Sequence, residues 1–201
     1  MTLDLIPDQE LRLRGAVRRA YSAAAECPWE KHAFPVGRRF AESVGYPQDL
    51  LASLPSVSVE AFAGVSNVGV FAAIPANATV LDLGCGAGLD TLIAARRVGP
   101  GGRVIGIDFS DSMLARAFQA AAALGIEGLF CRADGESLPL RDESIDVVLV
   151  NGIFNLNPGR TEIFHELARV VRRDGDVYAA ELTLQEPLPQ KKQLSEADWF
   201  A

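Results

Sequence analysis

The sequence predicts an α/β fold in which helices cover both faces of a mostly parallel sheet. From Thr79 onward, strand-like apolar runs alternate with segments of helical periodicity, the pattern of parallel strands joined by right-handed crossovers. A glycine-rich turn, Gly84–Gly88, directly follows the first run, and an acid, Asp108, ends the second. Because ligands bind at the carboxyl ends of the strands in such sheets, we expect a binding site at that edge.

Changes of periodicity and turn residues set the bounds of the expected elements. The predicted strands are Thr79–Leu83, Arg103–Asp108, Gly128–Ala133, Ile145–Asn151 and Asp176–Leu184, and the predicted helices are Leu89–Val98, Asp111–Leu124 and Arg160–Arg172. The last helix has an apolar face with a helical period, made of Ile163, Phe164, Leu167, Val170 and Val171.

The residues before the sheet are expected to be mostly irregular. One helix is predicted over Asp8–Ala25, since Pro28 ends it, and a short one around Gln48–Leu54. We therefore divide the chain into an N-terminal helical cap and linker (1–76), a core (77–184) and a tail (185–201). The sheet is expected to stop after its fifth strand.

Composition excludes several classes of protein. A net charge of −7 over 201 residues disfavours a nucleic-acid substrate, which requires a basic surface. The three cysteines are widely spaced and form no CxxC pair, so we expect neither a metal site nor a disulfide framework. The N-terminus has no apolar signal region, and no apolar run has the length of a membrane span. We expect a cytoplasmic protein.

The segment Val80–Gly88, VLDLGCGAG, predicts a nucleoside cofactor. A glycine turn at a helix N-terminus lets backbone N–H groups meet a polar or anionic ligand, and an acid after the next strand can bond ribose hydroxyls. The spacing is GxGxG, with Leu89 where the dinucleotide fingerprint needs glycine or alanine, and no Lys-Ser or Lys-Thr follows. The alternative is a glycine turn required only for helix–strand packing.

This segment resembles motif I of the class I S-adenosylmethionine (SAM)-dependent methyltransferases. The strings LDLGCGAGLDTLIAARRVGPGGRVIGIDFSDSML and NGIFNLNP, with YPQDLLASLP upstream, are most similar to arsenite methyltransferases. The resemblance implies a Rossmann-like class I methyltransferase fold, SAM as the cofactor, and in-line methyl transfer to a small-molecule acceptor.

The candidate site residues follow from the strand ends and from this resemblance. Asp108 would bond the ribose, and Phe109 and Met113 would flank the adenine, unless they are core residues. Asp134 would accept a hydrogen bond from the adenine amino group, or cap a helix. Asn67 and Phe154 are candidate substrate residues. The full cofactor set is Asp82, Gly84, Cys85, Gly86, Gly88, Asp108, Phe109, Met113, Asp134, Gly135, Glu136 and Asn151.

Two departures from the arsenite methyltransferases concern the thiols that bind arsenic. Their Gly-Cys-Gly-Asn segment corresponds here to Gly64-Val65-Ser66-Asn67, and their Asn-Cys to Asn151-Gly152. Valine and glycine cannot supply the soft thiolate that arsenic requires, so arsenite is not the expected acceptor. The usual Lys-Pro-Gly-Gly turn is also altered, to Arg173–Asp176.

No catalytic base is evident in the sequence. His165 is expected on the surface, and His32 is a possible acceptor-side residue. Methyl transfer does not always need a base, because positioning the acceptor in line supplies much of the rate. The alternative function is a SAM-binding protein without catalysis. The fifth strand is expected to be an exposed edge in which Glu181 is the only charge within Val177–Leu184, and this predicts a homodimer.

Overall fold

The computed structural model describes residues 7–126 and 129–183. Five short or medium helices precede the sheet: α1 (Pro7–Glu26), α2 (Arg38–Ser43), α3 (Gln48–Ala52), α4 (Ser56–Val59) and α5 (Val68–Phe71). The sheet region then runs β1 (Thr79–Leu83), α6 (Leu89–Val98), β2 (Arg103–Asp108), α7 (Asp111–Ala123), β3 (Leu129–Arg132), β4 (Ile145–Asn151), a 3₁₀ turn (Phe154–Leu156), α8 (Arg160–Val170) and β5 (Val171–Ala180).

The described strands form one parallel sheet in the order β3-β2-β1-β4-β5. Val80, Val147 and Leu149 pack against α5 and α6 on one face. The opposite face, with Leu81 and Val148, packs against α8. The predicted α/β fold with helices on both faces is confirmed, and the change of strand order at β1 and β4 opens a crevice at their carboxyl ends.

The sheet elements match the predicted bounds closely, and the fifth strand is the main exception. β1, β2, β4 and α6 begin and end where the sequence predicts. β5 begins at Val171 and not at Asp176, because Val171 pairs with Ile145 and a bulge follows before Asp176 pairs with Val147. Leu184, the predicted end of that strand, and the predicted tail lie outside the described residues.

The segment before the sheet is more helical than predicted. α2 to α5 occupy four to six residues each, and Pro47 and Pro55 immediately precede α3 and α4. These helices bury Tyr46, Leu51 and Val59 against α6 and α7. The long helix α1 packs against α7, so it lies beside the carboxyl ends of the strands.

The described helices include none long and apolar enough to cross a membrane. The same residues contain no group of three or more histidine, cysteine or acidic side chains that could hold a metal ion.

Candidate cofactor and acceptor site

One large cavity lies at the carboxyl ends of the strands. The glycine turn after β1 and the ends of β2, β3 and β4 form its floor, and α1 and residues 58–64 form its other wall. The empty space amounts to about 1110 Å³, part of it open to solvent. This space lies at the carboxyl ends of the strands, where parallel sheets of this kind bind their ligands.

The turn after β1 has a backbone that favours glycine. Gly84, Gly86 and Gly88 have φ angles of 75°, 52° and 82°, which residues with a side chain rarely adopt. A Cβ at Gly84 would also overlap the side chain of Ile153. Gly88 is the residue before α6 and lies against α7, where a Cβ would come 3.2 Å from the Ala117 Cβ. The turn thus leaves space beside the N-terminus of α6.

Asp108 connects the glycine turn to the segment after β2. One carboxylate oxygen accepts a hydrogen bond from the Gly86 N–H at 2.9 Å, and the other accepts one from the Ser110 N–H at 2.8 Å. The residue is 7% exposed. Burial raises the pKa of this carboxyl, and the backbone bonds oppose that rise. Asp108 lines the cavity and has the position expected of a ribose ligand.

Two further buried acids, Asp82 and Asp90, lie beneath the cavity. Asp82 accepts a hydrogen bond from the Thr91 hydroxyl at 2.5 Å. Asp90 accepts bonds from the Tyr46 hydroxyl at 2.6 Å and the Gly69 N–H at 3.0 Å. Burial, then the charges of Asp90 and Asp108, raise the pKa of Asp82 to about 8. Burial also raises the pKa of Asp90, against its hydrogen bonds. In their ionised forms these acids favour a cationic ligand above them.

Asn151, at the end of β4, fastens the 65–66 loop to the sheet. Its side-chain oxygen accepts hydrogen bonds from the N–H groups of Val65 and Ser66, at 2.8 and 3.1 Å. Its amide nitrogen donates to the Ser66 carbonyl at 2.7 Å and to Asp90 at 2.9 Å. A Cβ at Gly64 would come within 2.6 Å of the amide. The close approach of this loop therefore requires glycine there.

The two positions at which the resemblance to arsenite methyltransferases implies arsenic-binding thiols are neighbours in this fold. A Cβ on Gly152 would lie 2.9 Å from the Val65 Cγ1 atom, and the φ angle of Gly152 is 82°. Cys85, which lines the cavity, is buried, and burial together with Asp108 and Asp82 raises the pKa of its thiol well above the usual value. The thiolate form, which binds soft metals, is therefore disfavoured.

Helix α1 closes the cavity from the side opposite the sheet. Arg14, Val17 and Tyr21 line it from one face of that helix. Arg14 forms ion pairs with Asp134, at the end of β3, and with Glu136, where the Nη1 to Oε1 distance is 3.0 Å. Burial, followed by the charges of Asp108 and Glu181, raises the pKa of Tyr21, so its phenol stays protonated.

The structure brings most of the predicted site residues to one cavity. It places four elsewhere: Gly88 against α7, Glu136 paired with Arg14, Asn67 bonded to the Gly45 carbonyl, and Phe154 in the core, stacked on Phe164. The predicted residues that line the cavity are Asp82, Gly84, Cys85, Gly86, Asp108, Phe109, Met113, Asp134, Gly135 and Asn151. Met113 lines the cavity and is also a core residue, since it is 1% exposed and belongs to a core cluster.

Neither histidine is placed in the cavity lining. The Nε2 atom of His32 lies 2.9 Å from the Cys27 carbonyl oxygen, and His165 is exposed on α8. A helical N-terminal cap was predicted, but the lining residues that α1 and residues 58–64 contribute were not, and neither was Asp90. Asp90 looks like an ordinary acid in the first turn of α6, and only the long-range bonds from Tyr46 and Asn151 distinguish it.

Comparisons with known proteins agree on one family. Residues 74–199 match the methyltransferase domain family. An arsenite methyltransferase of Halobacterium salinarum is 37% identical over 156 residues, which cover 77% of this chain and 39% of that protein. A demethylmenaquinone methyltransferase of Lactobacillus johnsonii is 36% identical over 100 residues, 48% of this chain and 41% of that one.

The comparison with solved structures also finds a methyltransferase. The crystal structure of an arsenic(III) S-adenosylmethionine methyltransferase from Chlamydomonas reinhardtii has a TM-score of 0.64 and 30% identity, covering 71% of this chain and 50% of that one. The chain thus spans half or less of the length of these relatives.

Proposed function

The chain belongs to the methyltransferase domain family, and on that premise we propose that it transfers a methyl group from SAM to a small-molecule acceptor. The observation that carries this proposal is the cavity in which the glycine turn, Asp108 and the buried acids meet. Bound SAM supplies an electrophilic methyl group on a positively charged sulfur. The acids Asp82 and Asp90 complement that charge.

The residues of this chain contribute binding, orientation and exclusion of water. Asp108 is available to the ribose hydroxyls, and the cradle at Gly84 and Gly86 leaves room for the cofactor against the backbone. Val17 and Tyr21 of α1 cover the opposite side. Alignment of an acceptor with the reacting methyl group can supply a large part of the rate acceleration without a placed base.

We infer that the acceptor is not arsenite. Val65 and Gly152 occupy neighbouring positions at which the resemblance to arsenite methyltransferases implies thiols. Neither residue can bind arsenic. Cys85 is the cysteine in the cavity lining, and the raised pKa of its thiol disfavours the thiolate. The lining around Phe62, Ile153 and Leu156 favours an apolar organic acceptor.

We also propose a homodimer formed through β5. Within the described residues β5 pairs with β4 alone, so its other edge presents unpaired backbone groups. Val177 and Leu182 are 46% and 59% exposed beside it. Glu181, the residue directly after β5, accepts the Phe154 N–H at 2.8 Å, so its carboxylate is turned to the 3₁₀ turn. Sedimentation equilibrium at tens of micromolar should give a dimer mass, and a monomer mass would contradict the proposal.

The function is tested by binding and turnover together. Calorimetry should show binding of SAM and S-adenosylhomocysteine and none of NADH. Release of S-adenosylhomocysteine is then measured against a panel of quinones, phenols, amines and arsenite. Binding without turnover on any acceptor would support the non-catalytic alternative, and binding of NADH without SAM would overturn the proposed cofactor.

A further inference from the structure

Ser58 has a buried hydroxyl without a partner. The residue lies in α4 and is 0% exposed, and its Oγ atom makes no hydrogen bond within the described part of the chain. Other buried hydroxyls nearby are satisfied: Thr91 donates to Asp82, and the Ser110 oxygen accepts the Met113 N–H. Buried polar groups are nearly always paired, so an exception of this kind needs an explanation.

Its position suggests that the partner is a ligand. Ser58 belongs to the lining of the cavity, on the wall that continues through Ala61 and Phe62 to Gly64. Arg116 of α7 donates to the Val57 carbonyl at 3.0 Å, which fixes this wall against the core. Ser58 is therefore held in the wall of the cavity, with its hydroxyl buried beneath the surface of that wall.

The charges around the cavity indicate which part of the cofactor needs a neutral donor. Asp82, Asp90, Asp108 and Asp134 line the cavity, and in their ionised forms they repel the carboxylate of the cofactor's amino-acid portion. Among the described lining residues Arg14 is the single cation, and its guanidinium is paired with Asp134 and Glu136. No lining side chain with an unpaired positive charge is thus described for that carboxylate.

Two hydroxyl-bearing side chains, Tyr21 and Ser58, are among the described lining residues. Burial, followed by the charges of Asp108 and Glu181, raises the pKa of the Tyr21 phenol, and those two charges disfavour an anion beside it. Of the two asparagines in the described lining, Asn151 donates its amide to Ser66 and Asp90, and Asn157 accepts the Gly159 N–H at 2.8 Å. Ser58 has no such commitment.

We propose that Ser58 donates a hydrogen bond to the carboxylate of the amino-acid portion of SAM. This assignment rests on the proposed function, since it requires SAM in the cavity. It makes Ser58 a binding residue supplied by the segment before the sheet, which bonds the end of the cofactor opposite the adenine.

Calorimetry with a truncated ligand tests the proposal. Ser58→Ala is compared with the parent protein for S-adenosylhomocysteine and for its decarboxylated analogue, which lacks only the carboxylate. The substitution is expected to weaken S-adenosylhomocysteine by about tenfold, the worth of one hydrogen bond to a charged group, and to leave the analogue unchanged. Ser56→Ala, at an exposed serine in the same helix, is the control and should alter neither affinity.

Thermal unfolding separates this role from a structural one. Because the hydroxyl has no partner in the described chain, its removal should not lower the melting temperature. Ser58→Cys, which keeps the shape of the side chain with a larger terminal atom that donates weakly, should reproduce the selective loss. Equal weakening of both ligands, or unchanged binding of S-adenosylhomocysteine, would overturn the proposal. If the parent protein binds neither ligand, the proposed function fails and this inference with it.

Discussion

The most direct test of the electrostatics of the cavity is to measure how SAM affinity depends on pH. The substitution Asp82→Asn should remove that pH dependence. Asp82 is 2% exposed, and burial beside Asp90 and Asp108 raises its pKa to about 8. The empty protein therefore holds a proton on Asp82 at neutral pH, whereas a cationic ligand favours the charged carboxylate. Affinity for SAM should rise with pH across this range.

The size of the effect follows from the fraction ionised. With a pKa of about 8, about one-tenth of Asp82 is ionised at pH 7 and about nine-tenths at pH 9, so affinity should increase about tenfold between them. Calorimetry in two buffers of different ionisation enthalpy should detect proton release at pH 7. Asp82→Asn should flatten the rise and abolish the release.

The ligand's own amino group also titrates near neutral pH, and the variant controls for it because both proteins meet the same ligand. A pH slope in Asp82→Asn equal to that of the parent protein would refute the reasoning. Stability should move in the opposite direction. A carboxyl whose pKa is higher in the folded than in the unfolded state takes up a proton on folding, so the melting temperature should fall as pH rises from 4 to 8.

Three other substitutions or assays test the remaining assignments. Asp108→Ala should weaken SAM binding by roughly 1–3 kcal/mol in calorimetry, because it removes the charged partner of the ribose. It should also lower the melting temperature, because the N–H groups of Gly86 and Ser110 lose their acceptor. Unchanged affinity would remove Asp108 from the ribose site. Gly84→Ala should destabilise the fold by about 1–3 kcal/mol in denaturant titration, since its Cβ would overlap Ile153 at a positive φ angle; full stability would show that the turn can relax. The purified protein should not convert arsenite to methylarsenite, as chromatographic speciation can check, and measured conversion would contradict the role given to Val65 and Gly152.

The strands of the sheet were predicted well from the sequence because each is marked by a continuous local pattern of residues. Strands β1, β2 and β4 are apolar runs bounded by turn residues, and each appears with its predicted bounds. The helices α2 to α5 were not predicted, apart from the one near Gln48, since four to six residues are too few to display a helical period. Their stability comes from packing against α6 and α7.

The site was predictable where the motif lies in one strand–turn–helix unit and not where it depends on distant contacts. Gly84, Gly86 and Asp108 follow from the pattern alone. The ion pair between Arg14 and Asp134 joins residues 120 positions apart. No local feature of the α1 sequence predicts that pairing. The hydrogen bonds by which Asn151 holds the 65–66 loop could not be predicted from the sequence either, because an asparagine at a strand end can bind a ligand or a loop equally well.

The wall of the cavity made by α1 and residues 58–64 has a consequence for how acceptor choice can diversify. The match to the methyltransferase domain family begins at residue 74, yet Arg14, Tyr21 and Phe62 face the same space as the glycine turn. Exchange of this preceding segment would change the side of the cavity that carries Phe62, while the glycine turn and the part of the lining made by Ile153 and Leu156 stay with the sheet. Because Ser58 lies in the same segment, chimaeras joined near residue 74 should alter cofactor affinity together with acceptor choice.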